Sequence, residues 1–524
     1  MNRCAIVLLL GTCIVRGQVD VLTANYNNYR TSANLQEYAL SPDTVSPDTF
    51  GKLAALPVVG QVYAQPLVVT GRDVAGCGTC DVVYVATMEN NVYAFNATTL
   101  DPTPLWTVNL GPPVPSYMVK LRDIDPSIGS LSTPAISLPR GAIYLLSETL
   151  RDGKPAFRLH ALDLATGREI LNGPTDVTAS VAGSGDSNVN GKIALDPMSQ
   201  LQRPGLLIAN GRAYVAFGSI FDRNPYHGWV LTYDIGDVSQ QLNVFDSTPD
   251  GAQGGIWQSG RGLVADSSGN IYLGIGNGDY DGMRNFGESF LRMSPELRVV
   301  DWFTPADWQD LSDSDLDTAS LGPILIPSLN LIFGGDKNNN GYLIDRWNMG
   351  RLGLTGASVP QIFQPIQWGG LFNAAVWDRT DGPLVYFVDE GTATCGWRIS
   401  PDDKRFEATA FSTTNVNSDY PHQGIAVSAL GDTNGILWIT AGDHDLEDVP
   451  GTLLAFNAQD LTQLLWTSEM NPERDRLGGF AKFATPTIAN GLVFVPTFSD
   501  QLAVYGRLST GTSDQSRSIQ RKLY

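Results

Sequence analysis

Two cysteines, Cys77 and Cys80, have a spacing with known chemistry and stand in the segment AGCGTCD. A Cys-x-x-Cys pair can form a disulfide, supply half of a zinc site, or attach haem when a histidine follows it. Asp81 occupies the position of that histidine, and the sequence has no second pair for zinc. In an exported protein the spacing therefore predicts a small disulfide that pins a Gly-rich loop, and no haem.

A second polar segment, DSNVNGKIALDP at 186–197, has oxygen-bearing side chains and a glycine at the spacing of a calcium loop. Its twelfth position would need a bidentate glutamate but is Pro197, so we interpret the segment as a polar surface turn. No Gly-x-Ser-x-Gly segment supports a serine-hydrolase site. The histidines are scattered along the chain at His160, His227, His422 and His444.

The elements that must position any functional site are repeated along the chain. The first copy reads QPLVV (65–69), VVYVAT (82–87), NVYAFNATT (91–99) and LWTVNL (105–110). Short runs of β-branched and aromatic residues, separated by Gly, Asp and Asn, predict short strands joined by tight turns. No copy is long enough to bury both of its faces, so neighbouring copies must pack against each other.

The copies predict an all-β fold, an eight-bladed β-propeller of four-stranded antiparallel blades. Their entry segments lie near Gln65, Thr133, Arg203, Gly260, Gly322, Gly370, Gly424 and Thr485. The last copy lacks a fourth strand, and we expect KLAALPVV (52–59) to supply it and close the ring. The predicted organisation is an N-terminal arm at 18–50, the propeller at 51–507 and a polar tail at 508–524.

Charge and the N-terminal residues limit the partners of the protein. The formal net charge of −20 disfavours nucleic acid and anionic membranes, because both are bound by basic surfaces. Residues 1–17 combine Arg3, an apolar run and small residues, which predicts a secretory signal peptide cleaved near Gly17. Acylation of Cys13 in a lipoprotein is the less favoured alternative. We expect a periplasmic or secreted monomer without a membrane span.

Four segments in the middle of the chain carry a more specific pattern. They are GSIFDRNPYHGWVLTYD (218–234), GGIWQSGRGL with IYLGIGNG (254–278), WFTPADWQDLSDSDLD (302–317) and GGDKNNNGYLIDR (334–346). In letters, order and spacing they resemble the propeller of quinoprotein alcohol dehydrogenases, and the repeat itself resembles the pyrroloquinoline quinone (PQQ) repeat. The resemblance implies PQQ in the central channel, with Ca²⁺ beside it.

The resemblance also implies how the cofactor would be held. Trp257 corresponds to the indole floor on which the planar quinone lies, and a flat indole suits such a ligand. Lys337 corresponds to the basic residue that polarises a quinone carbonyl, and Asn373 to an amide that contacts the cofactor.

The implied calcium site is less complete. Asn277 corresponds to one ligand, and a second ligand, which is also the base for the alcohol proton, is Asp310 by strict motif reading or Asp315 if the DLD segment is aligned. The family's glutamate ligand falls on Arg223, whose cation would repel Ca²⁺, although the adjacent Asp222 could replace it if the loop shifts. The family's adjacent cysteine pair is also absent from the sequence.

These observations lead to two hypotheses. The favoured hypothesis is an exported binding or scaffold propeller whose cofactor pocket is degraded. This propeller would bind an unknown protein or saccharide partner, and Arg223 at the ligand position motivates the hypothesis. The alternative is a PQQ- and Ca²⁺-dependent dehydrogenase of alcohols or sugars that passes electrons to a separate acceptor. Trp257, Asn277 and Lys337, in this order, motivate the alternative.

Overall fold

The computed structural model describes residues 19–121, 123–353, 361–364, 370–387, 393–417, 422–443 and 450–509. In these ranges the chain is nearly all β and forms an eight-bladed propeller, as predicted. The predicted signal peptide with Cys13, and the predicted tail from residue 510 onward, lie outside the described residues.

Each blade is an antiparallel sheet whose strands follow one another in the chain, and we number the blades in chain order. Blade 1 contains Leu67–Val74, Gly78–Ala86, Asn91–Asn96 and Trp106–Asn109. Blade 2 contains Ala135–Ser137, Ala142–Arg151, Lys154–Asp163 and Thr175–Asp176. Blade 3 contains Leu207–Ala209, Arg212–Ser219, Trp229–Asp234 and Asp237–Asp246, with Gln200–Leu201 beside its second strand. Blade 4 contains Val264–Ala265, Ile271–Ile275, Ser289–Met293 and Val299–Pro305, and Arg351–Gly353 adds a fifth, parallel strand.

The remaining blades repeat this arrangement. Blade 5 contains Leu321–Ile326, Leu331–Gly335, Gly341–Asp345 and Gln361–Phe363. Blade 6 contains Ala374–Trp377, Leu384–Phe387 and Ala393–Ser400, and both Arg405–Phe406 and Ser412–Asn417 pair with its third strand. Blade 7 contains Gly424–Leu430, Thr433–Ala441, Thr452–Asn457 and Asp460–Thr467. Blade 8 contains Thr487–Ala489, Leu492–Pro496, Gln501–Arg507 and, from the other end of the chain, Phe50–Pro57.

Smaller elements connect the blades. Two short antiparallel pairs are Val114–Pro115 with Ser127–Ile128, and Ser180–Ala182 with Lys192–Ala194. The short helices are Ser116–Val119, Leu138–Arg140, Gln258–Gly260, Trp308–Asp313 and Pro472–Asp475. Within the described ranges, no helix is long and apolar enough to cross a membrane. Cys77 and Cys80 form the predicted disulfide in the loop between the first two strands of blade 1.

The ring closes by pairing the two ends of the propeller. Phe50–Pro57 runs antiparallel to Gln501–Arg507, with Leu56 opposite Leu502. The predicted donor strand is thus confirmed, two residues nearer the N-terminus than expected. The first strand of blade 8 also contacts the first strand of blade 1, so the sheets form a circle and not a linear stack. Pairing both ends removes an open sheet edge.

A recurring tyrosine links each of several blades to the next. Tyr84, Tyr144, Tyr214 and Tyr386, all on second strands, donate to Leu164, Ile235, Pro295 and Ala458, the carbonyls of the turn after the third strand of the following blade. This contact explains why Gly-aliphatic-Tyr runs and Asp-containing turns recur together in the sequence. A buried phenol needs a hydrogen-bond partner, and the next turn supplies one.

The N-terminal arm lies across one end of the ring and hydrogen-bonds to every blade in order. The pairs are Val21 with Val68, Leu22 with Ile136, Thr23 with Leu206, Asn28 with Ala265, Tyr29 with Leu325, Thr31 with Val376, Ser32 with Val427 and Asn34 with Ile488. Arg30, fully buried, donates to the carbonyls of Ala24, Leu206 and Leu263. The arm therefore covers the central channel at this end of the ring.

Candidate ligand site in the central channel

A cavity of about 350 Å³ lies in the channel, and its walls come from the segments that enter blades 2 to 8 and from loops within blades 3 and 5. Such a volume falls within the range of small-molecule pockets. A smaller chamber of about 30 Å³ shares Arg203, Lys482 and Phe483 with the cavity and reaches Ala24 and Asn25 of the arm. The channel thus has an outer cavity of ligand size and a narrow inner chamber that ends at the arm.

Trp257 stands in the wall of the cavity because a tight turn holds it there. After Trp257 the chain turns through Gln258–Gly260, and the amide of Gly260 donates to the Trp257 carbonyl. The buried Gln258 side chain accepts from the amide of Gly274, which ties the turn to the second strand of blade 4. A side chain at Gly218 would meet the Cβ of Trp257 at 3.0 Å, so a glycine there leaves room for the indole.

Other aromatic rings lie next to Trp257 in the wall of the cavity. The centroids of Phe372 and Phe483 each lie 6.2 Å from that of Trp257, and His422 lies 4.6 Å from Phe483. The cavity therefore has an aromatic wall built by the entries of blades 4, 6, 7 and 8.

A charged cluster lies beside the Trp257 ring. The Lys337 ammonium is 5.6 Å from the ring centroid, 2.7 Å from Oδ1 of Asp315 and 2.6 Å from Oδ2 of Asp317. Asn277 joins the cluster through its side-chain amide, which donates to Asp315 at 2.7 Å, and through its backbone amide, which donates to Asp317 at 2.9 Å. The structure thus brings together three predicted residues, Asn277, Asp315 and Lys337, and adds Asp317.

The hairpin turn of blade 5 fixes the position of Lys337. The carboxylate of Asp336 accepts from the backbone and side-chain amides of Asn340 and from the hydroxyl of Tyr342. The same Asp-x₃-Asn-x-Tyr pattern forms a turn around Asp266 in blade 4, there between the first and second strands. Lys337 follows the anchoring aspartate directly, so the turn determines where the ammonium lies.

Burial and charge oppose each other in this cluster. Burial raises the pKa of Asp317 above its usual value even though the Lys337 ammonium acts to lower it. Burial alone would lower the pKa of Lys337, but Asp317 and Asp315 together raise it above its usual value. Lys337 is therefore a stable cation that can donate to a ligand oxygen, and Asp317 is a buried carboxyl suited to proton transfer.

The other predicted residues lie in different surroundings. Asp222 lines the cavity and accepts from the Ser219 hydroxyl at 2.5 Å. Asp310 lies on the exposed side of the helix Trp308–Asp313, outside the cluster. Asn373 lines the inner chamber, where it accepts from Arg261 at 2.7 Å. Of the predicted set, only Asp222, Trp257 and Lys337 are among the described residues that line the outer cavity. Asn277 and Asp315 contact the Lys337 cluster without lining the cavity, and Asp310 and Asn373 lie elsewhere.

The oxygen donors fall short of a calcium cage. Burial and the nearby Asp222 carboxylate both act to raise the pKa of Asp317, and the buried Oδ1 of Asn277 has no hydrogen-bond donor among the described residues. Ca²⁺, however, needs six to eight oxygens, and the Lys337 ammonium already contacts Asp317. Arg223 points away and donates to the Val119 carbonyl. The described ranges contain no cluster of three or more His, Cys, Asp or Glu side chains placed for a metal.

A planar ligand, in contrast, fits these walls. The Trp257 ring is half-buried and faces a cavity of sufficient volume, and the Lys337 ammonium is positioned near the ring. An aromatic molecule lying on Trp257 would gain about 1 kcal/mol from stacking beyond the burial of its area.

Two further cations that line the cavity, Arg203 and Lys482, were not among the predicted site residues. Lys482 donates to the backbone carbonyl and the carboxylate of Asp123. The Arg203 guanidinium lies 4.9 Å from the centroid of Phe483. Each residue comes from a blade-entry segment without a recognisable motif, so only their meeting at the axis identifies them.

A Ser-His-Glu arrangement also occurs, in blade 2. The Ser147 hydroxyl is 2.9 Å from Nε2 of His160, and Nδ1 of His160 contacts Glu169. Ser147 and His160 are almost fully buried on neighbouring strands. A nucleophile must be reached by its substrate, so we interpret this arrangement as a structural hydrogen-bond network.

Fold and site together define a β-propeller with a ligand-sized cavity in its channel. In fold it is similar to a quinohemoprotein alcohol dehydrogenase from Pseudomonas putida, with a TM-score of 0.61 and 14% sequence identity over 96% of this chain and 84% of that one. A second similar structure is BamB from Moraxella catarrhalis, with a TM-score of 0.48 and 11% identity over 87% of this chain and 99% of that one. No family model and no curated protein matches the sequence.

Proposed function

We propose that this protein binds a planar aromatic small molecule in its channel, and that the ligand is a quinone of the PQQ class. The observation that carries the proposal is the half-buried Trp257 ring, which faces a cavity of about 350 Å³ with the Lys337 ammonium 5.6 Å from the ring. An indole face and a nearby hydrogen-bond donor match the flat ring and carbonyl oxygens of such a ligand.

The state of the pocket separates this proposal from a scaffold with a degraded cofactor site. In a degraded site the channel would be filled by bulky side chains or its charged groups would point elsewhere. Trp257, Asp222, Asp317 and Lys337 instead line one open cavity. The likeness in fold to a quinohemoprotein alcohol dehydrogenase gives the proposal further support.

The proposal is tested by adding PQQ to the purified protein and measuring its affinity by quenching of tryptophan fluorescence. Trp257→Ala should weaken binding on the order of tenfold or more, because the stacking surface and its buried area are lost. Trp347→Ala is the matched control, since Trp347 is 48% exposed and lies outside the cavity. Equal affinities of the two variants, or no binding by the natural protein, would refute the proposal.

Dehydrogenation of alcohols or sugars is the second candidate function, and the Asp317–Lys337 pair favours it. When bound, a quinone of this class supplies two-electron oxidation. Asp317 would accept the hydroxyl proton of the substrate, and Lys337 would keep its charge close to the reacting oxygens. Protein samples that bind PQQ are then assayed for dye reduction by alcohols with and without added Ca²⁺. Binding of PQQ without alcohol-dependent dye reduction would refute the dehydrogenase function and keep the proposal of a binding protein.

A further inference from the structure

A second cavity, outside the central channel, lies where the two ends of the propeller join. Its volume of about 480 Å³ falls within the range of small-molecule pockets. Its walls come from residues 59–61 after the closing strand, from residues 126–127, and from the turns between the second and third strands of blades 1 and 8. We call it the seam cavity. It shares no lining residue with the outer cavity of the channel.

Two carboxylates of the seam cavity, those of Glu89 and Asp500, flank one residue, Gly60. The Gly60 amide donates to Oδ1 of Asp500 at 2.8 Å, and a Cβ added at Gly60 would lie 2.7 Å from Cγ of Glu89. The Ser127 hydroxyl donates to Oε1 of Glu89 at 2.5 Å. One oxygen of each carboxylate is thus held in place, while the other has no hydrogen-bond or ion-pair partner among the described residues.

The rest of the lining carries no compensating charge. Val59, Met88, Pro126 and Phe498 supply an apolar wall, and no Lys, Arg or His is among the described residues that line the cavity. Val59 is 60% exposed, so the apolar surface reaches the solvent at the rim. A hydrocarbon body packs against such a wall, and a cation is attracted both by the carboxylates and by the face of a phenyl ring.

We propose that the seam cavity binds a small organic cation, an alkylammonium ion. Its ammonium lies beside Glu89 and Asp500, and its hydrocarbon chain lies against Met88 and Phe498. Two carboxylates supply fewer oxygens than Ca²⁺ needs, and the part of the chain that the structure describes has no cluster of three or more metal-ligating side chains. The formal net charge of −20 also favours the approach of a cation.

The test compares pentylammonium with 1-pentanol, a neutral molecule of similar length, by titration calorimetry at neutral pH. The natural protein should bind pentylammonium at least about tenfold more tightly, as expected for charge-assisted hydrogen bonds. Glu89→Gln and Asp500→Asn should each reduce this ratio several-fold, and the double variant should bring it close to one. Each substitution keeps an oxygen that accepts from Ser127 or Gly60, so each single variant serves if the double variant does not fold.

Two further variants separate this site from a general attraction of cations to an acidic protein. Asp402→Asn removes an exposed carboxylate that does not line the cavity, and it should leave the ratio unchanged. Phe498→Ala should weaken the binding of pentylammonium although the charge is kept, because buried apolar area is lost.

Four results would overturn the proposal. They are equal affinities for the two probes, no binding of either probe, a ratio that persists in the folded variants of Glu89 and Asp500, and displacement of pentylammonium by an equal concentration of Ca²⁺. The last result would assign the carboxylates to a metal ion.

Discussion

At the scale of single residues, polar groups buried without partners reveal where this protein tolerates a cost in stability. Glu148, on the second strand of blade 2, is one example. Glu148 is 1% exposed, lies opposite Phe157, and neither of its carboxyl oxygens has a hydrogen-bond partner among the described residues. Burial raises the pKa of Glu148 well above its usual range, so the carboxyl stays protonated in the folded state.

Glu148 should therefore make stability depend on pH. The unfolded carboxyl ionises above its ordinary pKa while the folded one retains its proton, so stability falls as pH rises above that ordinary pKa, by up to about 1.4 kcal/mol per pH unit. Glu148→Gln should reduce this slope in urea unfolding measured from about pH 5 upward, while other buried carboxyls with raised pKa values, such as Glu288, keep part of it. Glu473→Gln, at an exposed position, should leave it intact. Parallel slopes for all three proteins would contradict the assignment.

At the scale of elements, a recurring tyrosine hydrogen bond lies within the largely apolar interface between neighbouring blades. Tyr144 packs with Leu146 and Phe157 of blade 2 against Phe217 and Trp229 of blade 3. Its hydroxyl donates to the carbonyl of Ile235 at 2.6 Å. The hydrogen bond fixes how far one blade can slide along the next, while the apolar contacts supply most of the free energy.

Tyr144→Phe should lower the free energy of unfolding by about 1 kcal/mol, because the apolar packing is kept and one buried carbonyl loses its donor. Tyr117→Phe is the control, since Tyr117 is 77% exposed. The measurement is urea unfolding followed by intrinsic fluorescence. Equal stability of the two variants would mean that water replaces the phenol at Ile235.

At the scale of the whole molecule, two devices keep the ring closed. Phe50–Pro57 completes blade 8, and the arm between Val21 and Asn34 hydrogen-bonds to all eight blades at one end of the channel. The arm, which precedes blade 1 in the sequence, therefore runs once around the axis of the propeller. The outer cavity depends on ring closure, because its walls come from seven blade entries that only a closed ring holds together.

Whether ring closure depends on Phe50–Pro57 can be tested directly, because adjacent residues of this strand face opposite sides of the sheet. Leu56 is fully buried, whereas Ala55 is exposed. Leu56→Asp should cost at least about 4 kcal/mol by burying an unpaired charge, and it should open the ring to proteolysis near residue 57. Ala55→Asp should change stability by no more than about 0.5 kcal/mol. Similar proteolysis of both variants would show that closure does not depend on this strand.

The sequence by itself determined the strand pattern, the number of blades and the closure of the ring. Strand patterning and turn residues act over a few positions, so residues such as Tyr84 and Tyr144 mark their copies in the sequence. A last copy short of one strand, together with a spare strand at 52–59, predicted the closure. Trp257 and Lys337 were found because each lies in a distinctive local segment, and each lines the cavity.

Only the tertiary structure decided which side chains meet. Asp317 and not Asp310 lines the cavity, and Arg203 approaches Phe483 from a segment 280 residues away in the sequence. The arm had no periodic pattern to read, because its contacts with the blades are made largely by backbone groups that every residue type carries. Local patterns specify a blade, but the chemistry at the axis depends on how eight blades share one centre, and that is a property of the closed ring.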